Sequence, residues 1–339
     1  MVTVRLMKCR PSRFLLVILC LLALPLTAPA PLIYTPGEGW TYEPVGGDSK
    51  WRQTRAKDQL DVAQAAFDKK VYGMALKAAR RVVKVWPLSD YAGQAQYLVA
   101  RCYEAKGNDE KAFKEYQKVL EKYPKIPAYQ EILGRQYNIA NKYLAGKWFR
   151  LWGVLPLFPS MDRTAEMYEK VVRSGPYSEV APQAQMKIGA AREKQHNYPM
   201  AVKAYETAAD RYNDQPKIAA DALYKAGMAY NKQAQTAEYD QSAAGQAIAS
   251  FTDFMTLYPN DSRVDGVRKI ISSLRTEQAR GSYNIAKFYE KKKKWRGAVV
   301  YYNEVLLQDP NSAFAPIAKR RIEALKDKAQ AQMAATPKK

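Results

Sequence analysis

The chain has 339 residues, of which 47% are hydrophobic and 26% charged, which is enough for one large domain or two ordinary ones. One histidine and three cysteines leave little material for a metal centre or for thiol catalysis, so we expect no catalytic residue, no cofactor and no metal. The formal net charge of +21 is concentrated towards the C-terminal end and would suit nucleic acid, anionic lipid or an acidic protein.

Residues 1–30 have the pattern of a secretory signal peptide, with basic residues first, an apolar segment at Phe14–Leu26 and small residues at Thr27–Ala30. The apolar segment is shorter than the ~20 residues of a transmembrane helix. Cleavage near Ala30 and lipidation of Cys20 are both open, and a buried N-terminal helix is the alternative to export. Export would argue against nucleic acid as a partner.

Prolines and glycines between residues 31 and 49 exclude a persistent helix and predict an extended tether. Residues 50–330 are helical in pattern throughout, without a convincing alternating strand. The last residues, 331–339, are predicted to form a disordered tail. Cys102 lies on a helical pattern among apolar residues, so we expect it to be a buried small residue and not a reactive thiol.

One helical segment, Asp109–Pro124, recurs along the chain. A small anchor residue is followed by an aromatic residue one turn later, and by a proline or turn residue at the helix end, as in Ala112, Tyr116 and Pro124. The six anchors are Ala75, Ala112, Thr164, Ala201, Ala247 and Ala298. A second helix precedes each anchor and carries its own small residue. These small residues are Ala63, Ala100, Ala140, Gly189, Gly227 and Ala286.

These offsets resemble the tetratricopeptide repeat, whose unit is a helix–turn–helix pair. The resemblance covers roughly Thr54–Leu325 and implies an all-α fold: a right-handed superhelical solenoid of about six helix pairs. Val264–Arg280 is interpreted as an added helical stretch running towards Tyr283, and Ala313–Gln330 as a C-terminal capping helix. A single pair cannot bury its apolar face alone, so most repeated residues are predicted to be scaffold.

The third repeat is interrupted by an apolar insert at residues 146–160, GKWFRLWGVLPLFPS. Its candidate contact residues are Trp148, Phe149, Trp152, Leu155 and Phe158. A loop this apolar must be covered. Either it inserts into a partner groove or the membrane interface, where tryptophan is favoured, or it folds back over the protein's own helices.

Two further surfaces are candidates for binding. A row of tyrosines with polar residues one turn later would suit an extended peptide or a partner helix; it comprises Tyr97, Arg101, Tyr137, Asn141, Tyr224, Tyr283 and Lys287. Alternatively, these tyrosines pack between successive helices. The turn of the last repeat carries Lys291, Lys292, Lys293, Lys294 and Arg296. It is either a solvated loop or a docking site for an acidic partner or anionic lipid headgroups.

The segments Arg280–Ala313 and Lys69–Pro124 resemble the BamD family, also called YfiO, of outer membrane assembly lipoproteins. The resemblance implies a non-catalytic periplasmic scaffold, associated with the outer membrane, that serves β-barrel protein assembly. Its partners would be envelope proteins, either the barrel-assembly subunit or unfolded outer membrane proteins. A periplasmic repeat adaptor for cell-wall or division machinery is the alternative. Two further hypotheses remain. One is an enzyme with its site in the concave groove of the solenoid, and the other is a cytoplasmic RNA-binding array that retains residues 1–30.

Overall fold

A computed structural model describes residues 32–35, 39–42, 51–151, 155–156, 159–236 and 241–334. The predicted signal peptide, including Cys20, lies outside the described residues. Within them, thirteen helices are joined by short turns. Their bounds are α1 Ala56–Asp68, α2 Tyr72–Val85, α3 Ala92–Ala105, α4 Asp109–Lys122, α5 Tyr129–Leu144, α6 Met161–Ser174, α7 Ala181–Lys194, α8 Tyr198–Arg211, α9 Pro216–Thr236, α10 Gln241–Leu257, α11 Val264–Lys291, α12 Trp295–Gln308 and α13 Ala315–Ala334.

Each helix packs on the next, which gives the all-α tetratricopeptide-type solenoid that the repeats predict. Several second helices begin at a capping side chain. The side-chain amide oxygen of Asn108 accepts a hydrogen bond from the backbone N–H of Lys111 at 3.4 Å, and Asn197 caps α8 in the same way. The same helices end before a proline or a turn residue, because proline lacks the N–H that the next helical bond needs.

The six anchor residues are all completely buried, which confirms their predicted role in the core. The aromatic residue one turn after the anchor is also buried in the last five pairs; these residues are Tyr116, Tyr168, Tyr205, Phe251 and Tyr302. The small residue of the first helix lies against this ring. A methyl group on Gly189 would come within 2.4 Å of the Tyr205 ring, and one on Gly227 within 2.6 Å of the Phe251 ring. Small residues therefore set the distance between the two helices of a pair.

The longest helix, α11, belongs to two packing units. Its first half contributes Val267 and Ile271 to a core shared with α9 and α10. Its second half contributes Ala279 and Ala286 to a separate core with α12 and α13. The added stretch Val264–Arg280 therefore continues directly into the first helix of the last pair, as the sequence predicted.

Three segments differ in detail from the sequence expectations. The region predicted as an extended tether contains an antiparallel hairpin of β1, Leu32–Thr35, and β2, Gly39–Tyr42. The apolar insert contains a second, shorter pair, β3 Arg150–Leu151 and β4 Leu155–Pro156. The capping helix α13 reaches Ala334, four residues into the predicted tail, because 331–334 continue its helical pattern.

The turns fall on two opposite edges of the solenoid, because neighbouring helices alternate in direction. On the first edge, the turns within each pair lie near one another. The Lys194 ammonium at the end of α7 donates to the Leu144 carbonyl at the end of α5, at 2.6 Å. On the second edge, the turns between pairs meet: the Tyr212 hydroxyl donates to the Pro176 carbonyl at 3.1 Å. We call these the intra-pair edge and the inter-pair edge.

The intra-pair turns share one backbone feature. Each described turn contains a residue in the left-handed region, which is the usual way for a helix to end. These residues are Lys70, Gly107, Gly146, His196 and Lys293. Glycine adopts this conformation at little cost, whereas lysine and histidine are strained there.

Candidate partner-binding surface

The tyrosine row of the first helices is half-buried. Each ring packs on the aromatic residue of the second helix in its own pair, with ring centroids about 6 Å apart. The pairs are Tyr97 with Tyr116, Tyr137 with Tyr168, Tyr224 with Phe251 and Tyr283 with Tyr302. One side of each ring thus belongs to the scaffold, and only the remaining side can meet a partner. The binding role of this row stays a prediction.

The polar residues one turn later are partly engaged within the protein. The Arg101 guanidinium lies 4.6 Å from the centroid of Phe67 and 5.8 Å from that of Tyr97. Asn141 accepts a hydrogen bond from the hydroxyl of Tyr168 at 2.6 Å, so its carbonyl oxygen is already occupied. Asn141 is therefore a poorer candidate for partner contact than the sequence suggested.

Tyr97 has a polar neighbourhood that holds its hydroxyl in place. The Nε of Arg135 donates to this hydroxyl at 3.2 Å. Burial, together with the hydrogen bond to Glu131, raises the pKa of Tyr97 to about 12. The same hydrogen bond lowers the pKa of Glu131. Tyr97 therefore stays protonated at physiological pH and acts as a neutral hydrogen-bonding group, not as a base.

Tyr224 is covered on one face. The guanidinium of Arg263 lies 4.7 Å from the centroid of Tyr224 and 5.2 Å from that of Phe254. This arginine also bonds to Asp221 at 2.5 Å and to Asp261 at 2.7 Å. One face of the Tyr224 ring is thus occupied by the protein's own arginine.

At the C-terminal end of the row, a cavity of about 400 Å³ lies between the last pair and the capping helix. It is lined by Tyr283, Lys287, Glu290, Lys291, Trp295, Tyr302 and Arg321. The structure thus brings together Tyr283 and Lys287 of the tyrosine row and Lys291 of the basic turn. Sequence reasoning treated these as separate candidates.

The chemistry of this cavity is aromatic and cationic. Its one acid, Glu290, is already bonded: it accepts a hydrogen bond from the Tyr302 hydroxyl at 2.8 Å and forms an ion pair with Arg321. The ammonium of Lys287 lies 5.6 Å from the centroid of Tyr283. Three cations against one paired carboxylate leave the cavity net positive, which suits an acidic ligand group.

Sequence reasoning missed the residue that bonds the buried tyrosine hydroxyls. Three first helices place a glutamate against the tyrosine of the second helix: Glu104 bonds Tyr116 at 2.5 Å, Glu193 bonds Tyr205 at 2.6 Å, and Glu290 bonds Tyr302. The glutamate precedes the tyrosine by 12 residues each time. That constant spacing was visible in the sequence. These bonds explain why acids recur near the ends of first helices without forming a catalytic pair.

The basic turn lies between α11 and α12 on the intra-pair edge. Lys291, Lys292, Lys293, Lys294 and Arg296 are all exposed. No acidic side chain pairs with any of them in the part of the chain that the structure describes. The turn is therefore available to a partner with negative charge.

The apolar insert is divided between buried and exposed residues. Phe149 is 4% exposed, stacks on Tyr143 at 4.2 Å and lies under the guanidinium of Arg163. Trp148 is 52% exposed. Leu155 is on strand β4, while Trp152 and Phe158 lie outside the described residues. Phe149 thus folds back onto the protein's own helices, and Trp148 remains open to a partner.

A larger cavity, of about 740 Å³, lies on the inter-pair edge between the α2–α3 and α4–α5 turns. It is lined mainly by Pro87, Leu88, Tyr123, Pro124 and Ile126. Leu88 there is 97% exposed. None of the predicted site residues lines this cavity.

The described residues contain no cluster of three or more side chains suited to hold a metal ion. Burial raises the pKa of the Cys102 thiol to about 11, and the side chain is fully buried, so the prediction of a structural cysteine is confirmed. Among the helices that the structure describes, none is long and apolar enough to span a bilayer.

Two protein families match parts of the chain. The family described as "YfiO: Outer membrane lipoprotein" matches residues 160–309. The family described as "Tetratricopeptide repeat" matches residues 94–125. The first match covers less than half of the chain and includes α6–α12. Comparison with curated proteins gave no match.

Solved structures with some likeness are also repeat proteins. The C-terminal part of a TPR repeat-containing protein from Cytophaga hutchinsonii is 14% identical, covers 79% of this chain and 88% of its own, and has a TM-score of 0.35. A TPR protein of Thermus thermophilus is 14% identical over 64% of this chain and 99% of its own, with a TM-score of 0.30. YrrB, titled a TPR protein with an unusual peptide-binding site, is 14% identical over 73% of this chain and 100% of its own, with a TM-score of 0.30.

Scores this low carry no information about ligands or site geometry. The family matches and the buried repeat residues do support the resemblance predicted from Arg280–Ala313. The chain is therefore similar to the YfiO family of outer membrane lipoproteins over residues 160–309 and to the tetratricopeptide repeat over residues 94–125.

Proposed function

We propose that this protein is a non-catalytic periplasmic scaffold that binds partner proteins during outer membrane β-barrel assembly. The observation that carries the proposal is the coincidence of two features in the last repeats. The YfiO similarity extends to residue 309, and the open, net positive cavity beside Tyr283 and Lys287 lies almost entirely within it. Support for a protein-binding role also comes from the tetratricopeptide match.

The cavity favours an acidic segment of a folded or unfolded envelope protein. The rings of Tyr283 and Trp295 provide apolar walls, and Lys287 and Lys291 provide cations at the rim. Partner recognition by repeat proteins uses such a combination of aromatic anchors with a few charged contacts. No turnover is needed for this role, since the site only holds its ligand.

The proposed location is the periplasm, at the outer membrane. The sequence pattern of residues 1–30 supports export, and the matching family is described as outer membrane lipoproteins. Either lipidation at Cys20 or cleavage near Ala30 is compatible with this location. Mass spectrometry of the mature N-terminus distinguishes the two.

Detergent pull-down from native membranes tests the proposal. The full chain should co-purify with an envelope protein of the barrel-assembly machinery or with an outer membrane β-barrel protein. Substituting Lys287→Glu and Lys291→Glu should abolish this co-purification, because both cations at the cavity rim change sign. The matched control, Lys122→Glu with Lys125→Glu, changes two exposed lysines on the opposite edge and should retain the partner.

Two outcomes would contradict the proposal. Finding no envelope protein among the partners of the parent chain would remove its basis. Co-purification only with septal or cell-wall proteins would favour the adaptor function instead.

A further inference from the structure

We propose that the tip of the last helix pair docks on the surface of a bilayer that carries anionic phospholipid headgroups. We call this surface the basic tip; it comprises Phe288, Lys292, Lys293, Lys294, Arg296 and Lys328. The inference concerns how the scaffold is held against a membrane. It does not depend on which protein occupies the cavity.

The cations of the basic tip are exposed and have no acidic partner among the described residues. Two other lysines near the same edge share one buried carboxylate. Lys147 and Lys142 both pair with the buried carboxylate of Asp109, at 2.5 and 3.3 Å. Among the described residues, Lys69, Lys70 and Lys106 of earlier turns also form no ion pair, but the last turn carries the longest run of unpaired cations on this edge. Such a cluster lowers its free energy by meeting a surface of opposite charge.

The capping helix holds the tip in one arrangement. The side-chain amide of Gln332 accepts a hydrogen bond from the backbone N–H of Arg296 at 3.1 Å and donates one to the carbonyl of Lys293 at 3.2 Å. The ammonium of Lys328 lies 5.2 Å from the centroid of Trp295. Two helix ends and one turn thus present their cations from the same small region. Docking on a membrane would therefore cost little conformational entropy, because the side chains and backbone of the basic tip are already ordered.

An aromatic side chain lies among these cations. Phe288 is 57% exposed, and the ammonium of Lys292 lies 5.9 Å from its ring centroid. Exposed aromatic rings beside lysine and arginine are typical of proteins that lie on a membrane, where the ring enters the headgroup region and the cations meet lipid phosphates. A solvated charged loop has no need of an exposed phenylalanine.

The two edges of the solenoid differ in the charge of their turn residues. The described intra-pair turns contain cations and no acid; the cations are Lys69, Lys70, Lys106, Lys147, Arg150, Lys292, Lys293 and Lys294. Glu238 and Asp240 belong to the α9–α10 turn but lie outside the described residues. The inter-pair turns carry mainly acids, namely Asp90, Glu179, Asp214, Asp261 and Asp309, beside Lys125 and Arg263. The turn residues of the intra-pair edge therefore favour contact with an anionic surface more than those of the inter-pair edge do.

The shape of the tip favours a flat surface over a peptide ligand. Peptides bind in grooves that surround their side chains, whereas Lys292–Lys294 project from the outside of a turn. The neighbouring concave site, with Lys287 and Lys291 at its rim, is the place for a protein segment. The two surfaces can be tested separately because their lysines differ.

Vesicle partitioning tests the proposal with the full chain. The protein is titrated with vesicles of phosphatidylcholine alone and of phosphatidylcholine with phosphatidylglycerol, at low and at high salt. The ratio of the two partition coefficients isolates the contribution of anionic lipid, because the apolar segment Phe14–Leu26 is the same in every protein compared. We expect the ratio for the parent chain to be well above one and to fall as salt rises.

The test variant is Lys292→Gln, Lys293→Gln, Lys294→Gln and Arg296→Gln combined. It should lower partitioning into phosphatidylglycerol vesicles by roughly tenfold or more and leave phosphatidylcholine binding unchanged. It keeps Lys287 and Lys291, so partner pull-down should be unaffected.

The control variant carries the same loss of charge on the inter-pair edge: Lys84→Gln, Lys122→Gln, Lys125→Gln and Lys217→Gln. It should partition like the parent chain. An equal loss in both variants would mean that net charge alone drives binding, and it would overturn the proposal. The proposal would also be overturned if the parent chain bound vesicles independently of phosphatidylglycerol, even if the tip then proved to bind an acidic protein.

Discussion

At the scale of single residues, the helix–helix distance depends on whether a position can hold a methyl group. Gly189 lies under the Tyr205 ring, where an added Cβ would be 2.4 Å from the nearest ring carbon. At Gly134, inside α5, nothing beyond the nearby backbone of the same helix lies within 4 Å of such a Cβ. The two glycines are both helical, so their substitution by alanine separates packing from helix propensity.

We predict opposite effects for these two substitutions. Gly189→Ala should lower the free energy of unfolding by roughly 1–3 kcal/mol, because the ring or the helix must move. Gly134→Ala should raise it by up to about 1 kcal/mol through helix propensity. Urea denaturation of both variants measures the difference. Stabilisation by Gly189→Ala would show that the pair tolerates a wider spacing.

A second pair of residues tests the turn geometry. Lys70 adopts a φ of 60°, whereas Lys69 beside it has a φ of −73°. Lys70→Gly should stabilise the protein by roughly 0.5–1 kcal/mol, since it removes left-handed strain. Lys69→Gly should destabilise it, because glycine only adds flexibility to the unfolded chain there. Thermal melting of the two variants gives the comparison, and equal shifts would argue against the strained turn.

The ion pair of the Asp261 carboxylate leads us to predict that the stability of the fold depends on pH. Its hydrogen bonds from Arg263 lower its pKa from 3.8 to about 2. A depressed pKa in the folded state means that the bond stabilises the fold above about pH 4 and is lost as pH falls towards 2. Asp261→Asn should therefore reduce the denaturation midpoint near neutral pH, and the parent and variant curves should converge in acid. A difference that stays constant with pH would contradict the assigned ion pair.

At the scale of helix pairs, the repeated bond between a glutamate of the first helix and a tyrosine of the second is a local latch. Glu193 also pairs with Lys232 at 3.2 Å, so it keeps a partner when the tyrosine hydroxyl is removed. Phe251 occupies the equivalent position in the fifth pair without any hydroxyl. The latch therefore adds stability to pairs that would form without it.

We predict that Tyr205→Phe costs about 1–2 kcal/mol, as expected for a hydrogen bond to a partly exposed charged group. In a solenoid each pair contacts only its neighbours, so the effect should be local. Amide hydrogen exchange should accelerate in α7 and α8 and remain unchanged in α12 and α13. Uniform acceleration along the chain would mean that the solenoid unfolds as one cooperative unit.

Much of the packing between helices could be predicted from the sequence, and the exceptions have physical reasons. The regular spacing of residues in the sequence predicts the buried anchors, the small residues and the continuation of α11. Each helix pair packs against its neighbour in the same way, so the same residue types recur at the same offsets. The cover of Tyr224 by Arg263 does not follow from this spacing, because Arg263 lies in the turn after α10 and reaches back to α9. The cavity at Lys287 also escaped prediction, since Arg321 reaches it from the capping helix.

At the scale of the whole molecule, the two edges and the C-terminal cavity are separate surfaces, and the two proposals concern different ones. The inter-pair turns carry mainly acidic side chains, and exposed apolar residues such as Leu88 and Tyr177 lie among them. The intra-pair edge is basic and ends at the exposed lysines of the last turn. The cavity at Lys287 opens near the same end. A scaffold built in this way can hold a protein partner while one edge faces a charged surface.

The central claim, that the C-terminal cavity binds an envelope protein, is tested most directly by photo-crosslinking in intact cells. A photoreactive phenylalanine replaces Lys287 in one variant and Tyr177, which is 93% exposed on the inter-pair edge, in the control. We predict a light-dependent adduct between position 287 and a protein of the barrel-assembly machinery or a β-barrel protein, with none at position 177. No adduct at position 287, or the same adducts at both positions, would contradict the account.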